Sequence, residues 1–529
     1  MTTTSAENEV IIPAGDAESG TSSSEAAAPT EATVSPGGEP AMEEEEEEAG
    51  GKGKNKKCCS ALRFGGNAEA QGYTLMTVAR GGIIMSNIIF SSALIRLASE
   101  SVGCVFYDND DTIETPECSA RAYGFRPTSL ITMIAVVSGI LSAFLLPIIG
   151  AIVDYTPHRR AVGILSAIFI TTVQGVQIWL TTTTWFPMAI LQAINGFMYM
   201  VQVLAVYAYL PDIGRGVGPS KMMWFSAVFT MCQFGSQVTY LVVNIGLQLG
   251  FKLGGVAAAQ WSQTFCVVWL LLTFAPGWMK MPSVPALHSN PEGRNLAVIG
   301  FAQNWKTLKG IHRHYKRGLW LYFLACVFAE AGANAFTVVA VTFMVEVLGM
   351  DTTQVTIIFL VTLLSSIPGA KFGQLIAKKT NPIISWKINL VVFSAVTAAG
   401  AFTLTGPSRQ NLCYVFGVLW GVLLGWFYPL ENVIFTLSVP KGQESELSGF
   451  YTYCRSIMTW CPPLIFTVMN EAGLHMKWGM LSLVIFLVAG LVLLQLMAPW
   501  EDVLEAAKVN KMTEIVFVDA TSKDSRQDI

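Results

Sequence analysis

From Ala161 to Pro211 the chain runs for 51 consecutive residues without a single Asp, Glu, Lys or Arg. A bilayer-spanning helix needs about 20 apolar residues, so this run is long enough for two helices. They are joined at Thr181-Thr182-Thr183-Thr184-Trp185. No water-soluble fold tolerates so long an uncharged stretch twice over, and it is not isolated. Uncharged runs also cover 127–153, 222–251, 253–279, 388–408 and 478–500. Segments at 319–348, 352–377, 411–439 and 449–470 carry only one or two charges each. A first span at 73–98 is the weakest, because Arg80 and Arg96 bracket it. Twelve spans are expected, and with them an all-α polytopic membrane protein.

Charge confirms the solvent. Only 13% of the 529 residues are charged, against about a quarter in a soluble protein. Residues 1–70 hold 14 acidic and 5 basic groups and residues 498–529 hold 7 and 4, which leaves 16 acidic and 24 basic groups for residues 71–497. Dispersed basic groups in a chain of net charge −4 exclude nucleic acid as a partner. The basic groups are not spread evenly over the two membrane faces. With residues 1–72 placed in the cytosol, seventeen Lys and Arg fall on the cytosolic side and six on the other. The positive-inside rule therefore puts both termini in the cytosol. Residues 1–50 hold no apolar stretch, so no leader peptide is expected.

The sequence divides into a disordered tail (1–70), a six-helix half (71–279), a basic cytosolic linker (280–318), a second six-helix half (319–497) and a C-terminal tail (498–529). The N-terminal tail's Lys52, Lys54, Lys56 and Lys57 beside Cys58-Cys59 allow either plain solvation or a lipid-anchored basic patch. Cys104 and Cys118 share the first outward loop and are candidates for a disulfide. No cysteine or histidine cluster has metal-ligand or catalytic spacing, and no phosphate loop is present. Neither an enzyme nor a cofactor-dependent pump is expected.

The halves repeat. Gly150-Ala-Ile-Val-Asp154 ends the second span and Gly373-Gln-Leu-Ile-Ala377 the eighth; Tyr209-Leu210-Pro211 ends the fourth and Ser438-Val439-Pro440 the tenth. Six plus six helices around a cytosolic linker is the major facilitator layout. Gly150 through Asp154 to Arg159-Arg160 resembles that superfamily's loop signature. Tyr207-Ala208-Tyr209-Leu210-Pro211-Asp212 and Pro440-Lys441-Gly442-Gln443-Glu444-Ser445-Glu446 with Gly449-Phe450-Tyr451 are similar to segments of one branch, the autophagy-related vacuolar amino-acid effluxers. The first helix departs: Arg80 stands where that branch often has an aromatic–Asp pair. The resemblance implies a multi-pass transporter of small solutes, amino acids foremost, in a vacuolar or lysosomal-type membrane, with the plasma membrane as the alternative; the oligomeric state stays open, a monomer being favoured.

A transporter needs a polar path through the apolar slab. Gln192, Asn195, Tyr199 and Gln202 fall on one face of the fourth span; Gln233, Gln237, Tyr240 and Asn244 fall on one face of the fifth. These stripes are either cavity walls or glue between helices. Glu330 sits twelve residues into the seventh span with Asn334 one turn on. A charge there costs about 2.5–3.5 kcal/mol on insertion scales, so it must be paired, protonated or hydrated. Proton coupling through Glu330 and a structural ion pair, to Arg80 for example, are the two readings. Glu431 in the tenth span has Arg455 as its nearest basic neighbour. Gly150, Asp154, Arg159, Arg160, Asp212, Glu444, Glu446 and Arg455 are the gate-loop candidates. The rivals to a small-solute transporter are a sugar or other organic-solute cation symporter of the same fold and a non-transporting membrane scaffold.

Overall fold

The computed structural model describes residues 64–103, 120–210, 212–213, 219–286, 295–315, 317–440 and 444–508. The Cys104 and Cys118 pair and most of both tails lie outside the described residues.

The first half consists of α1 (Ala68–Ser101), α2 (Leu130–Tyr155), α3 (Arg159–Val176), α4 (Trp185–Tyr207), α5 (Pro219–Gly250) and α6 (Gly255–Lys280). After α7 (Leu296–His314) come α8 (Leu319–Glu346), α9 (Thr352–Lys379), α10 (Pro382–Thr403), α11 (Gln410–Ser438), α12 (Glu444–Ser456), α13 (Cys461–Glu471), α14 (Met476–Gln495) and α15 (Trp500–Lys508). Side-chain oxygens start the helices where the sequence supplies them. Asn67 accepts from the Ala70 amide at 2.9 Å, Asn381 from Ile384 at 2.7 Å, and Asp351 forms a reciprocal box with Gln354.

Ten helices among the described residues are long and apolar enough to cross a bilayer. The fifth and eleventh expected spans are not among them. In α5, Gln233, Gln237, Asn244 and Gln248 dilute the apolar residues. The eleventh is broken into α12 and α13. Pro462 and Pro463 supply no amide hydrogens and their rings clash with a continuing helix, so the helix must restart at Cys461.

Packing repeats between the halves. Helix α1 lies against α5 and α6, as α8 lies against α12, α13 and α14; α2 pairs with α4 as α9 pairs with α11; α3 meets α4 and α6 as α10 meets α11 and α14. Across the halves the contacts are reciprocal: α5 on α9, α13 on α2, and α1 on α8. The result is the pseudo-symmetric architecture of a major facilitator fold. The first helix of each half is the most enclosed, with 78% of the apolar window of α1 and 67% of that of α8 buried, against 22% for α9. Arg80 and Glu330 therefore sit on interior helices. Lipid instead meets a belt of exposed apolar side chains such as Leu165, Ile168, Leu271, Leu272, Ile367 and Ile485.

On α11, Gly417, Gly421 and Gly425 fall one turn apart and face α9. A Cβ on Gly421 would collide with the Thr362 carbonyl and one on Gly425 with the Ser366 backbone. This small-residue stripe lets two backbones touch, the usual device for helix association in lipid.

Within the linker, α7 packs on α2 where Gly300 meets the Pro147 carbonyl. Its exposed Val298, Phe301 and Trp305 recur at helical spacing beside exposed Lys306, Lys309 and Arg313, the pattern of a helix lying in the membrane interface. The start of the C-terminal tail also joins the fold: the Ala498 amide donates to the Arg317 carbonyl at 2.8 Å, and α15 rests on α11.

Candidate transport site

Three interior helices bring their charges together. Glu330 of α8 is fully buried and ion-paired to the Arg455 guanidinium of α12. Asn334, one turn further on the same face, donates to Glu330 Oε2 at 2.8 Å. Glu431 of α11 is also fully buried, and its Oε1 lies 3.6 Å from Arg455 Nε. Neither Glu431 oxygen has a hydrogen-bond donor among the described residues. Arg455 occupies the last turn of α12, because the proline pair ends that helix just beyond it; its side chain remains 26% exposed. A cation is favourable at a helix C-terminus.

Tyrosines frame the cluster. The Tyr451 and Tyr428 rings lie 5.3 and 5.9 Å from the Arg455 guanidinium carbon. Tyr428 donates to Asn334 Oδ1 at 3.3 Å, Tyr451 to Asn432 Oδ1 at 3.1 Å, and Tyr322 to the Glu431 carbonyl at 2.6 Å. Of these tyrosines the sequence marks only Tyr451, within Gly449-Phe450-Tyr451, yet spacing signals two of them. Tyr428 precedes Glu431 by three residues and Tyr451 precedes Arg455 by four, so each shares a helix face with its charge.

The first half contributes a cation. Arg80 of α1 is buried, donates to the Tyr207 hydroxyl at 3.1 Å and stacks over that ring at 4.9 Å. Tyr73 and Tyr199 lie within electrostatic reach of it. The ion pair between Arg80 and Glu330 does not form: Arg455 takes the carboxylate, because α12 packs directly on α8. The two clusters nevertheless adjoin, since Tyr207 lies within electrostatic reach of both Arg455 and Glu330.

The amide stripes divide. Gln192 accepts from Gln177 Nε2 at 2.7 Å, and Gln202 sits 2.6 Å from Ser166 Oγ with the Trp278 indole at its oxygen. Asn244 donates to the Tyr240 carbonyl of its own helix at 2.9 Å. Those three join or brace helices. Gln237 is buried against Gly81 of α1, whereas Gln233 and Tyr199 are half-buried. Asn195 is fully buried and neither amide atom has a partner among the described residues.

At the ends of α3 and α4, buried Arg159 bonds Asp212 Oδ2 at 2.8 Å and the Ala208 carbonyl at 3.0 Å, with its guanidinium 5.2 Å from the Tyr209 ring. Arg160 donates to the Trp278 carbonyl at 3.1 Å. Asp154 is half-buried at the end of α2. Gly150 has open space where a side chain would go, so packing does not require a glycine there. Glu444 and Glu446 open α12. Arg455, expected both with these loops and as the basic neighbour of Glu431, lies with Glu330 and Glu431.

The opposite end of the bundle is tied between halves. Ser99 donates to Glu346 Oε1 at 3.2 Å, and Arg96 to the Met350 carbonyl at 3.1 Å. Asn470 donates to Thr128 and, at 2.8 Å, to Ser129; Thr132 meets Thr467 at 2.7 Å; the Arg126 amide donates to Glu471 at 2.8 Å. A groove of about 440 Å³ between α3 and α6 borders the loop end of α3, sharing Arg160 and Trp278 with it. It is lined by Ile164, Thr171, Leu270, Phe274 and Trp278 and rimmed by exposed Ile168 and Leu271, so it faces lipid and is not the transport site.

The family described as "Vacuole effluxer Atg22 like" matches residues 66–223 and 224–506. Autophagy-related protein 22 of Cryptococcus neoformans (strain B-3501A) is 20% identical over 233 residues, 42% of this chain and 43% of that protein. The counterpart in Eremothecium gossypii is 19% identical over 338 residues, 58% of this chain and 64% of that protein. The matches thus span less than two thirds of these relatives' lengths. Among solved structures, the xylose transporter XylE from E. coli in an inward-open conformation aligns with a TM-score of 0.54 at 13% identity, covering 82% of this chain and 98% of that one. The nucleoside transporter NupG aligns at 0.53 and 12%, covering 83% and 100%. At such identity these likenesses show the fold alone.

Proposed function

The chain belongs to the vacuole effluxer Atg22-like family, a multi-pass membrane transporter of major facilitator type, and on that premise we propose that it moves small organic solutes, amino acids foremost, by proton-coupled alternating access about the cluster of Glu330, Arg455 and Glu431. The single observation that carries this reading is that two fully buried carboxylates share one guanidinium. With both ionised the cluster holds a net negative charge in a medium where unpaired charge is costly. One bound proton neutralises it. Losing that proton leaves Arg455 to divide itself between Glu330 and Glu431, which sit on different helices. Proton occupancy is thereby linked to how α8, α11 and α12 pack.

The broken helix supports the mechanical half of the proposal. Discontinuous spans place backbone ends and a charge at the site in many secondary transporters, and Arg455 sits at such an end. The inter-half hydrogen bonds through Ser99, Thr128, Ser129 and Thr132 lie at the end opposite the start of α1 and the end of α14. This is how a closed luminal gate is built when the termini face the cytosol, as the basic residues predict. Transport then runs from a vacuole-like lumen into the cytosol, by a monomer embedded in the bilayer.

Purified protein in liposomes bearing an imposed pH gradient tests the reading with a panel of labelled amino acids and sugars. Amino-acid uptake that depends on the gradient is expected, with the gradient-driven part lost in Glu330→Gln. Sugar uptake without amino-acid uptake overturns the substrate assignment. Full pH-driven uptake by the variant overturns the coupling assignment. Transport surviving removal of 1–63 and 509–529 excludes a scaffold acting through its tails.

A further inference from the structure

We infer that Arg80 is the group that holds a carboxylate of the transported solute; the inference deepens the transport reading above and rests on it for the substrate's presence at the bundle centre.

Arg80 is 6% exposed, on the most enclosed helix of the protein. A guanidinium has five donors in a planar fork. Among the described residues only one of them makes a hydrogen bond, to Tyr207, and Nε is buried without a partner. Tyr73 and Tyr199 lie within electrostatic reach, and no carboxylate lies within ion-pair distance among the described residues. An unpartnered Nε is shared with other arginines; what sets Arg80 apart from the other buried ones is the missing anion. Arg159 is as buried and also has Nε and Nη2 without a hydrogen-bond partner, but it is ion-paired with Asp212 and bonded to the Ala208 carbonyl. Arg455 has two carboxylates.

A buried cation left without an anion needs one from elsewhere. The fork suits a carboxylate bidentately. The counterpart is on the facing half: Glu431, whose oxygens accept no hydrogen bond, belongs to a cluster with one carboxylate more than it has cations. Tyr207, in contact with Arg80 and in electrostatic reach of Glu330 and Arg455, bridges the two. A solute with an anionic and a cationic end is therefore oriented with its carboxylate toward α1 and its ammonium toward α11. As the halves rock, such a solute closes the ionic gap between them.

The test measures binding to the purified full chain in micelles, where no gradient is needed. L-alanine, L-leucine, L-phenylalanine and L-lysine are each compared with their own carboxamides, on wild type, Arg80→Gln and Arg80→Lys. Wild type is expected to bind the acids at least about tenfold more tightly than the amides, as sites built around a specific polar group reject analogues lacking it. In R80Q the ratio is expected to fall to within about twofold of unity. In R80K, which keeps the charge and loses the fork, it is expected to fall severalfold. An unchanged ratio in R80K and R80Q, or a wild-type protein indifferent to the carboxylate, overturns the inference. If R80Q does not yield monodisperse protein, the R80K ratio alone decides. The two readings fail separately. Acid preference that depends on Arg80, without pH-driven uptake, keeps this site and sinks proton coupling. Gradient-driven uptake with acid and amide bound equally keeps transport and sinks this site.

Discussion

Arg455→Met removes the one cation that two buried carboxylates share, and the geometry sets how its effect compares with those of its neighbours. Glu330 and Glu431 are both fully buried and Arg455 is 26% exposed. Deleting one partner of a buried ion pair typically costs about 3–5 kcal/mol, because the remaining charge is stranded. The partial exposure of Arg455 puts R455M at the low end, about 3 kcal/mol, with two stranded charges instead of one. Glu330→Gln strands nothing: Arg455 keeps Glu431 at 3.6 Å and the amide keeps Asn334, so about 1 kcal/mol is expected. Glu431→Gln, which removes the longer contact, costs less still. The triple variant R455M/E330Q/E431Q carries no charge to strand and should recover most of the loss. Reversible denaturation of the purified protein in mixed micelles measures the series. R455M within about 0.5 kcal/mol of wild type, or a triple variant no better than R455M, would refute the shared-cation account.

Gly425→Val should open the contact between α11 and α9, because its side chain would enter the Ser366 backbone; overpacking of this kind costs about 1–3 kcal/mol and is read from the thermal unfolding midpoint. Asn470→Ala removes two bonds across the halves at the end of the bundle opposite the Arg159–Asp212 pair. At about 0.6–1.7 kcal/mol per membrane hydrogen bond, it should raise labelling of a cysteine placed at Thr132 several-fold, and unchanged labelling would remove Asn470 from the gate. Asp212→Asn strands the buried guanidinium of Arg159, so it should lower both stability and transport rate, while R159M/D212N should restore stability in the same denaturation assay.

Uncharged length made most of the helices legible, since a bilayer-spanning segment follows from the solvent alone, and ten of the twelve expected spans are long and apolar enough among the described residues. The proline pair at 462–463 is equally plain in the sequence, yet a window tuned to apolarity reads across it, so the break that positions Arg455 went unseen. Partner choice was the harder problem. Arg80 and Arg455 are each many residues from Glu330, and only the packing of α12 on α8 decides between them. The amides show the same limit. Gln192 and Gln202 share a face with Asn195, but neighbouring helices supply partners to the first two and none to the third. Periodicity reports a face and not what stands opposite it.

The most direct test of the central claim is uptake into proteoliposomes under an imposed pH gradient, wild type beside Glu330→Gln, with counterflow exchange measured on the same vesicles. The account predicts that the variant loses gradient-driven accumulation while exchange persists. Accumulation by Glu330→Gln at the wild-type rate would contradict it.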